Sequence, residues 1–273
     1  VKELNNRNYT VVGVDIEDMD ITDYSSVEGV LTKEKPDVVV HCAAWTAVDL
    51  AEDEENREKV HLVNAVGTEN IAKVCKMIDC KMIYISTDYV FDGQGTRPWE
   101  PDDERNPLNV YGQTKYEGEL AVERWLDKYF IVRISWVFGI NGKNFVKTML
   151  NLGKTHDKLT VVDDQIGSPT YTYDLAKLLA DMAETDKYGR YHATNEEICS
   201  WYDFACEIFR QASKYDSAYK NIVVSPVDSS AYPAKAKRPS NSRMSKDKLT
   251  ENGFAKLPTW QDATERYIKE LEQ

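Results

Sequence analysis

The chain has 273 residues, 42% hydrophobic and 29% charged, which excludes intrinsic disorder and collagen-like repeats and fits one large globular domain or a domain with a smaller lobe. Its 34 Lys and Arg against 46 Asp and Glu leave a formal net charge of −12, whereas a protein that binds a nucleic-acid backbone needs a basic face, so nucleic acid is not an expected partner. No apolar run approaches the ~18 residues of a membrane span and residues 1–10 lack the apolar core of a signal peptide, so we expect a cytoplasmic protein without membrane association.

Cysteine and histidine are placed without the spacing of metal ligands. The cysteines are odd in number and scattered, namely Cys42, Cys75, Cys80, Cys199 and Cys206. The histidines lie far apart, at His41, His61, His156 and His192. These patterns predict buried free thiols in a reducing compartment and no metal site built from protein side chains.

Apolar runs alternate with helical stretches through the first half of the chain. The predicted strands are residues 11–15, 37–44, 81–86 and 129–136. The predicted helices are residues 22–35, 54–77 and 111–126. Strands separated by helices need right-handed crossovers, so the sequence predicts an α/β fold with a Rossmann-type, doubly wound parallel sheet covered on both faces.

After residue 140 the elements follow one another with looser spacing. The predicted strands are residues 159–162, 191–193 and 222–224, and the predicted helices are residues 173–184, 200–212 and 260–272. We expect this half to form a smaller C-terminal lobe beside the edge of the sheet. Ligands of open α/β sheets bind beyond the carboxyl ends of the strands, so residues just after each strand are the candidates for a site.

The beginning of the chain lacks a feature that a dinucleotide-binding sheet normally has. Such a fold opens with a strand, a glycine-rich turn and a helix, whereas residues 1–10 resemble the end of that helix. We interpret this as a missing first strand and glycine-rich loop, about 15 to 20 residues, and the alternative is a protein without a pyrophosphate cradle. Asp15 ends the first predicted strand and is a candidate to accept hydrogen bonds from the adenosine ribose hydroxyls. Its alternative role is to cap the turn that follows.

Tyr111 and Lys115 lie four residues apart at the start of a predicted helix, so both project from one face. A neighbouring ammonium lowers the pKa of a phenol, which predicts that Tyr111 is a general acid toward a carbonyl. Thr87 directly follows the strand predicted at residues 81–86, where its hydroxyl would bind the same carbonyl oxygen. Taken alone, this spacing also fits an exposed tyrosine beside a solvated lysine.

Segments along nearly the whole chain resemble the extended short-chain dehydrogenase/reductase superfamily and, within it, the dTDP-4-dehydrorhamnose reductases. They are CAAWTAVD at residues 42–49, STDYVFDG at 86–93, NPLNVYGQTKYEGE at 106–119, SWVFG at 135–139, DQIGSPT at 164–170 and RPSNSRM at 238–244. The resemblance implies an NAD(P)-binding Rossmann domain of residues 1–140 with parts of 159–193. Residues 141–273 would mainly form the nucleotide-sugar-binding lobe.

The resemblance also implies roles for individual residues. Thr87, Tyr111 and Lys115 match the catalytic positions, with Tyr111 protonating the substrate oxygen and Lys115 also holding the nicotinamide ribose. The further cofactor positions are Asp15, Asp20, Ile21, Ala43, Ala44 and Thr46. The substrate positions are Thr87, Asp88, Trp136, Asn144 and Arg238. Trp45 departs from the family, which usually has histidine there, so a cofactor contact at that position is in question.

Two of the implied substrate positions have simpler alternative roles. Arg238 can bind phosphate bidentately or form a surface salt bridge. Asn144 follows a glycine-containing turn and is a common residue type in such turns.

The implied reaction is the reduction of the 4-keto group of dTDP-6-deoxy-L-lyxo-4-hexulose (dTDP-4-dehydro-β-L-rhamnose) by NADPH or NADH, the last step of dTDP-rhamnose biosynthesis. Two alternatives stay open: another nucleotide-sugar reductase, epimerase or dehydratase, and a non-catalytic subunit resembling the regulatory β subunit of methionine adenosyltransferase. Dehydratases place an Asp-Glu pair after the threonine, whereas Asp88 is followed by Tyr89, which favours net reduction. The resemblance further implies a dTDP-sugar as substrate, a homodimer, and a divalent cation at the dimer contact.

Overall fold

A four-stranded parallel sheet forms the centre of the protein in the computed structural model, which describes residues 1–272. The strands are β1 (Val38–His41), β2 (Lys81–Thr87), β3 (Tyr129–Ile134), β4 (Val137–Phe138), β5 (Lys158–Val162), β6 (Ile166–Gly167), β7 (Thr170–Tyr171), β8 (Gly189–His192), β9 (Cys199–Ser200) and β10 (Val223–Val227). The central sheet has the order β1-β2-β3-β8, and each neighbouring pair is parallel. The predicted parallel α/β sheet is therefore confirmed.

Helices connect and cover these strands. They are α1 (Lys2–Asn6), α2 (Tyr24–Glu34), α3 (Glu54–His61), α4 (Gly67–Met77), α5 (Val110–Trp125), α6 (Phe145–Gly153), α7 (Thr172–Ala183), α8 (Trp201–Ala212), α9 (Asp247–Glu251) and α10 (Trp260–Leu271). A π-helical segment, Leu62–Val66, joins α3 to α4, so the helix predicted over residues 54–77 is continuous but contains one wider turn. The sequence pattern did not predict α6 or α9.

Both faces of the sheet are buried. On one face Met82 and Tyr84 of β2 pack with residues of α2, α4 and α5, including Val122. On the other face Ile83 of β2 packs with residues of α7, including Leu178. Alternate residues of one strand point to opposite faces, so a sheet covered on both sides needs a continuously apolar strand, which is the pattern present here.

The C-terminal half contains a second hydrophobic core. It brings α6, α8 and α10 together around aromatic residues such as Phe138, Phe204 and Tyr267. Strands β5 and β10 pair in parallel at its side, while β8 returns to the central sheet. The proposed domain boundaries stay a prediction.

The strand predicted at residues 11–15 is wrong. These residues have an irregular backbone, and Val12 and Val14 are exposed. A strand forms when its backbone hydrogen bonds to a neighbour, and within residues 1–272 the only ladder partner of β1 is β2. Without such a ladder, an apolar run does not become a strand.

The predicted strand over residues 37–44 also ends early, at His41, because the chain leaves the sheet there. This makes Cys42 exposed, contrary to the expectation that the thiols are buried, and Cys206 is half-buried. All five cysteines are free thiols. None of the helices between residues 1 and 272 combines the length and hydropathy that crossing a membrane requires.

Candidate active site

The candidate site lies at the carboxyl edge of the central sheet. Since β1, β2 and β3 are parallel, the residues that follow them meet at this edge. Thr87 is the last residue of β2, Ala43 lies two residues after β1, and Trp136 lies two residues after β3. The structure thus brings three separately predicted segments to one side of the sheet.

The first turn of α5 is held by two side chains. Asn109 caps the helix, with its Oδ1 accepting a hydrogen bond from the Gly112 amide at 2.8 Å. Glu52 accepts a hydrogen bond from the Val110 amide at 2.8 Å. The α-carbon of Gly112 lies so close to the Tyr89 carbonyl that a β-carbon would not fit. These contacts place Tyr111, in the first turn, beside the end of β2.

The Tyr111 phenol lies near the Thr87 side chain, which opposes the effect of burial on the pKa of Tyr111. The Tyr111 ring meets the Tyr89 ring edge-on at 5.5 Å between centroids. Burial raises the pKa of Tyr111 above its ordinary value, so the prediction that Lys115 lowers that pKa is wrong for this structure. At neutral pH the phenol keeps its proton, which is the state that a proton donor needs.

The Lys115 ammonium contacts strand β2 and does not lower the pKa of Tyr111. Its Nζ donates a hydrogen bond to the Ile85 carbonyl at 2.7 Å and lies 4.1 Å from the centroid of the Tyr84 ring. The side chain is buried, and burial lowers the pKa of Lys115 to about 7, while Glu119 opposes that shift.

Asp88 follows Thr87 and is buried with it. Its Oδ1 accepts a hydrogen bond from the Thr87 hydroxyl at 3.0 Å, and its Oδ2 accepts one from the Ser242 hydroxyl at 2.5 Å. Burial raises the pKa of Asp88 to about 6, although both hydroxyls oppose the shift. Asp88 and Thr87 therefore form one hydrogen-bonded group with the segment near Ser242.

Arg238 joins this group through Tyr89. Its Nη1 donates to the Tyr89 hydroxyl at 3.1 Å, and its Nη2 donates to Asp49 at 2.6 Å. The guanidinium therefore already forms a salt bridge, the simpler of its two predicted roles, while its side chain remains about one-third exposed.

Trp136 has a left-handed backbone, with φ at +50°, which is rare for a large side chain. Its ring stacks on Trp201 with centroids 3.9 Å apart and 18° between planes. A β-carbon on Gly167 would lie within 3.1 Å of this ring and within 2.9 Å of the Ser242 β-carbon. Trp136 therefore lies beside the segment that holds Asp88.

Asn144 has a structural task. Its side chain caps α6 by accepting a hydrogen bond from the Lys147 amide at 3.0 Å. Its Nδ2 donates to the Gly139 carbonyl at 2.9 Å and to the Tyr267 hydroxyl at 3.0 Å. Because the amide is occupied by the protein, its predicted substrate contact has no free donor in this conformation.

The predicted cofactor residues near the N-terminus make local contacts. Asp15 is exposed and accepts a hydrogen bond from the Glu17 amide at 3.0 Å, which is the turn-capping alternative. Asp20 accepts hydrogen bonds from both the amide and the hydroxyl of Thr22, and these lower the pKa of Asp20. Ile21 packs against Gly67 of α4. Their roles toward a cofactor stay predictions.

The loop after β1 offers a surface on which a cofactor can lie. Ala43 and Thr46 are exposed, Ala44 is half-buried, and Asn64 holds the backbone of Trp45 from below through its amide hydrogen bonds. Cys42, directly before this loop, lies near the Lys115 ammonium, and a loop of small residues close to an ammonium suits the hydroxyl-rich ribose of a nicotinamide nucleotide. Within residues 1–272 no group of three His, Cys, Asp or Glu side chains could hold a metal ion, so the implied divalent cation has no support.

Four residues of the site escaped the analysis of the sequence. Tyr89 contacts Tyr111, and Ser242 binds Asp88. Glu119 binds Arg133, and Asn64 binds the backbone of Trp45. The first three lie inside segments already quoted for the family resemblance, so their position in those segments was an available signal. Asn64 lies in the π-helical segment, and no sequence pattern marked it.

Known proteins match this chain over nearly its whole length. The model of the family described as "RmlD substrate binding domain" matches residues 1–273. The dTDP-4-dehydrorhamnose reductase of Escherichia coli strain K12 is 40% identical over 261 residues, 91% of this chain and 85% of that protein. Among solved structures, a dTDP-4-dehydrorhamnose reductase from Bacillus anthracis in complex with NADP has a TM-score of 0.91 at 40% identity, covering 98% of this chain and 93% of that chain. A dTDP-4-dehydrorhamnose reductase from Clostridium acetobutylicum has a TM-score of 0.93 at 41% identity, covering 100% of this chain and 94% of that chain.

Proposed function

The chain belongs to the family described as the RmlD substrate-binding domain, and on this premise we propose that it reduces dTDP-4-dehydro-β-L-rhamnose to dTDP-L-rhamnose with NADPH or NADH, the last step of dTDP-rhamnose biosynthesis. The observation that carries the proposal is the position of buried Thr87 at the carboxyl end of a parallel strand, against which the first turn of α5 packs with the protonated Tyr111. Relatives about 40% identical over most of the chain are named for this reaction, and one was solved with NADP.

The residues of the chain divide the chemistry between them. The nicotinamide, when bound, supplies a hydride to the carbonyl carbon. Tyr111 gives its phenolic proton to the carbonyl oxygen, so the C=O bond becomes an alcohol and the charge balances. Thr87 donates a second hydrogen bond to the same oxygen, which stabilises negative charge as it develops there. For this its single hydroxyl proton has to turn away from Asp88 Oδ1, to which it donates in this structure.

Lys115 holds the nicotinamide ribose in this proposal. It needs its proton for that task, because an ammonium donates hydrogen bonds to hydroxyls and a neutral amine is the weaker donor. Asp15, Asp20, Ile21, Ala43, Ala44 and Thr46 complete the proposed cofactor contacts.

The proposal assigns the nucleotide sugar to the side of Thr87 that faces away from the proposed cofactor residues. Asp88 and Trp136 face this side together with Ser242, and Arg238 lies next to Tyr89. For Arg238 to bind a diphosphate, the guanidinium has to exchange its salt bridge with Asp49 for the phosphate oxygens. Asn144 would have to release the Gly139 carbonyl or the Tyr267 hydroxyl before its side-chain amide could donate to substrate.

Turnover by the protein and by Tyr111→Phe tests the proposal. We expect NADPH oxidation that depends on the 4-keto sugar, and a loss of about 10² to 10⁴-fold in kcat for the variant, the usual contribution of a positioned proton donor. Tyr111→Phe keeps the ring and its edge contact with Tyr89, so an unchanged unfolding midpoint would separate lost chemistry from lost structure. Full activity in the variant would refute the role of Tyr111.

A protein that binds the 4-keto sugar and oxidises no NADPH or NADH would favour the regulatory-subunit alternative, and a co-purifying methionine adenosyltransferase would strengthen it. Release of water from dTDP-glucose would favour a dehydratase. The intact Thr87, Tyr111 and Lys115 set supports the reductase over both.

The finer points of the proposal are the cofactor and the assembly. An acid at the position of Asp15 repels a 2′-phosphate and favours NADH, whereas the Bacillus anthracis relative was solved with NADP. Comparison of kcat/KM for the two cofactors decides between them. The homodimer remains a prediction from the family resemblance, and the cytoplasmic location remains a prediction from the sequence.

A further inference from the structure

Glu119 is a fully buried carboxylate that the proposed chemistry does not use. It lies one helical turn after Lys115 on α5, so the two side chains share one face of the helix. Arg133 of β3 is also fully buried and binds Glu119 with two hydrogen bonds, from Nε at 2.8 Å and from Nη2 at 2.7 Å. A buried pair of this kind is seldom a gain in stability over apolar residues, so a further role has to be considered.

The remaining partners of Glu119 connect it to the catalytic strand. Its Oε1 accepts a hydrogen bond at 2.6 Å from Ser86, the residue before Thr87. Its Oε2 accepts one at 3.0 Å from Arg105, in the segment that leads into α5. One carboxylate therefore touches β2, β3 and the chain before α5.

We propose that Glu119 is a positioning residue that holds the helix carrying Tyr111 and Lys115 in register with the strand carrying Thr87. The inference deepens the proposed function and rests on it. The three catalytic residues come from two elements, and the hydrogen bonds of Glu119 span both of them.

Glu119 also supplies negative charge to Lys115. The other groups around the ammonium are His41, the last residue of β1, Cys42, which follows it, and Tyr84 of β2. His41 is neutral, because burial lowers its pKa to about 3. Glu119 is ionised, because the contacts with Arg133, Ser86 and Arg105 outweigh burial and hold its pKa at about 2. Without it, burial would drive the pKa of Lys115 lower.

The test is the titration of Lys115 in Glu119→Gln, read without cofactor from the ¹³Cε resonance of ¹³C-lysine-labelled protein. Lys115→Arg assigns the resonance. We expect a midpoint lower by about one pH unit, the smaller end of the effect of a neighbouring opposite charge. In the pH profile of kcat, the alkaline limb should also move to lower pH, because Lys115 loses its proton at lower pH. The KM for the nucleotide sugar should stay near that of wild type.

Three further variants make the test specific. Glu119→Gln leaves Arg133 buried without a carboxylate, so the double variant Glu119→Gln/Arg133→Gln serves where the single one does not fold. Glu123 lies one turn further along α5 than Glu119, and its carboxylate binds Arg105 and Arg190. Glu123→Gln removes this charge, and we expect no change in the titration of Lys115. Ser86→Ala cuts the link to the strand with all charges kept, and we expect a lower kcat with the titration unchanged.

An unchanged Lys115 midpoint in both Glu119 variants overturns the proposal, as does an equal shift in Glu123→Gln. A full kcat in both Glu119 variants and Ser86→Ala overturns it as well. If the wild type does not turn over the nucleotide sugar, the proposed function fails, whereas the titration of the cofactor-free protein still decides the effect of Glu119 on Lys115.

Discussion

Desolvation sets the protonation of the three ionisable side chains around Thr87. Burial raises the pKa of Tyr111, lowers that of Lys115 to about 7, and raises that of Asp88 to about 6. In each case the neutral form is favoured, as expected where water is excluded. Spacing in the sequence predicts that Lys115 lowers the pKa of Tyr111, but burial decides the direction of the shift, because the ammonium contacts β2 instead.

Asp88 makes stability depend on pH in a defined direction. Its pKa is about 6 in the folded protein against 3.8 for the free group, so between these values the folded state binds a proton that the unfolded state does not. Stability contributed by this group is therefore lost as pH rises from about 4 to about 6. Asn at position 88 does not titrate, so Asp88→Asn does not lose this contribution as pH rises. The unfolding free energy of the variant minus that of wild type should therefore be about 1 kcal/mol larger at pH 8 than at pH 5.

Urea unfolding of both proteins at the two pH values measures this difference. Ser242→Ala is the contrasting variant, because it removes a hydrogen bond that lowers the pKa of Asp88. Without that bond the pKa of Asp88 should be higher, so the stability of Ser242→Ala should keep falling with rising pH beyond the point where that of wild type levels off. Equal gains for Asp88→Asn at pH 5 and pH 8 would show that the carboxyl group does not titrate in this range.

At the scale of elements, the site depends on how closely α5 approaches β2. A β-carbon on Gly118 would lie 2.7 Å from the Asn64 carbonyl and would also meet the Tyr84 hydroxyl. The backbone carbonyl cannot move aside without shifting the π-helical segment. Glycine is therefore required at this point of the helix, although it lowers intrinsic helix stability.

Gly118→Ala is expected to destabilise the protein by about 1 to 3 kcal/mol, the usual effect of overpacking, and to lower kcat because Lys115 moves with the helix. Gly29→Ala in α2 is the matched control, since no atom lies within 4 Å of its β-carbon position. It should instead stabilise by about 0.5 to 1 kcal/mol, as alanine does in an open helix. Denaturant midpoints and kcat test the pair, and equal effects of both substitutions would contradict the close approach.

The π-helical segment connects the cofactor loop to α5. Asn64 accepts from the Trp45 amide at 2.8 Å and donates to the Trp45 carbonyl at 3.2 Å. It also donates to the Thr114 hydroxyl at 3.1 Å, and that hydroxyl donates to the Tyr111 carbonyl at 3.0 Å. A π-helical turn in a long helix often marks a functional site, and here it carries the side chain that holds the loop.

Asn64→Ala should destabilise the protein by about 1 to 3 kcal/mol, because the polar groups of Trp45 lose their buried partner. The KM for NADPH should rise, since the loop from Ala43 to Thr46 is no longer held. Thr114→Val replaces the hydroxyl group with a methyl group, which removes both hydrogen bonds of the hydroxyl, and should cost about 1 kcal/mol without changing that KM. A KM that rises equally in both variants would assign the effect to α5 and not to the loop.

On the scale of the whole molecule, a cofactor that binds the folded state adds its binding free energy to stability. At a concentration of 100 times Kd this amounts to about 2.7 kcal/mol. In a protein of this size each 1 kcal/mol raises Tm by about 2 to 4 °C. We therefore expect NADPH or NADH to raise Tm by several degrees, with the larger shift for the preferred cofactor at equal concentration.

The rise in Tm is measured by thermal unfolding of four samples, namely with NADPH, with NADH, with adenosine monophosphate and without addition. Adenosine monophosphate lacks the nicotinamide and should give a smaller shift. Equal unfolding temperatures in all four samples would indicate that the protein binds no dinucleotide, and would remove the basis for a reductase.

Periodicity along the chain was enough to predict the alternation of strands and helices, because alternating and helical burial patterns are local properties of the sequence. The segments around Thr87, Tyr111 and Lys115 predict a shared site, and the structure places these residues on the neighbouring elements β2 and α5. Residues 11–15 show the limit of this argument, since a strand needs a hydrogen-bonding neighbour as well as apolar residues. Ser242 of the C-terminal half binds Asp88, and Arg133 binds Glu119, across separations that no local pattern encodes. Tertiary packing alone decides which groups are desolvated and which charges face them, and therefore which side chains at this site keep their protons.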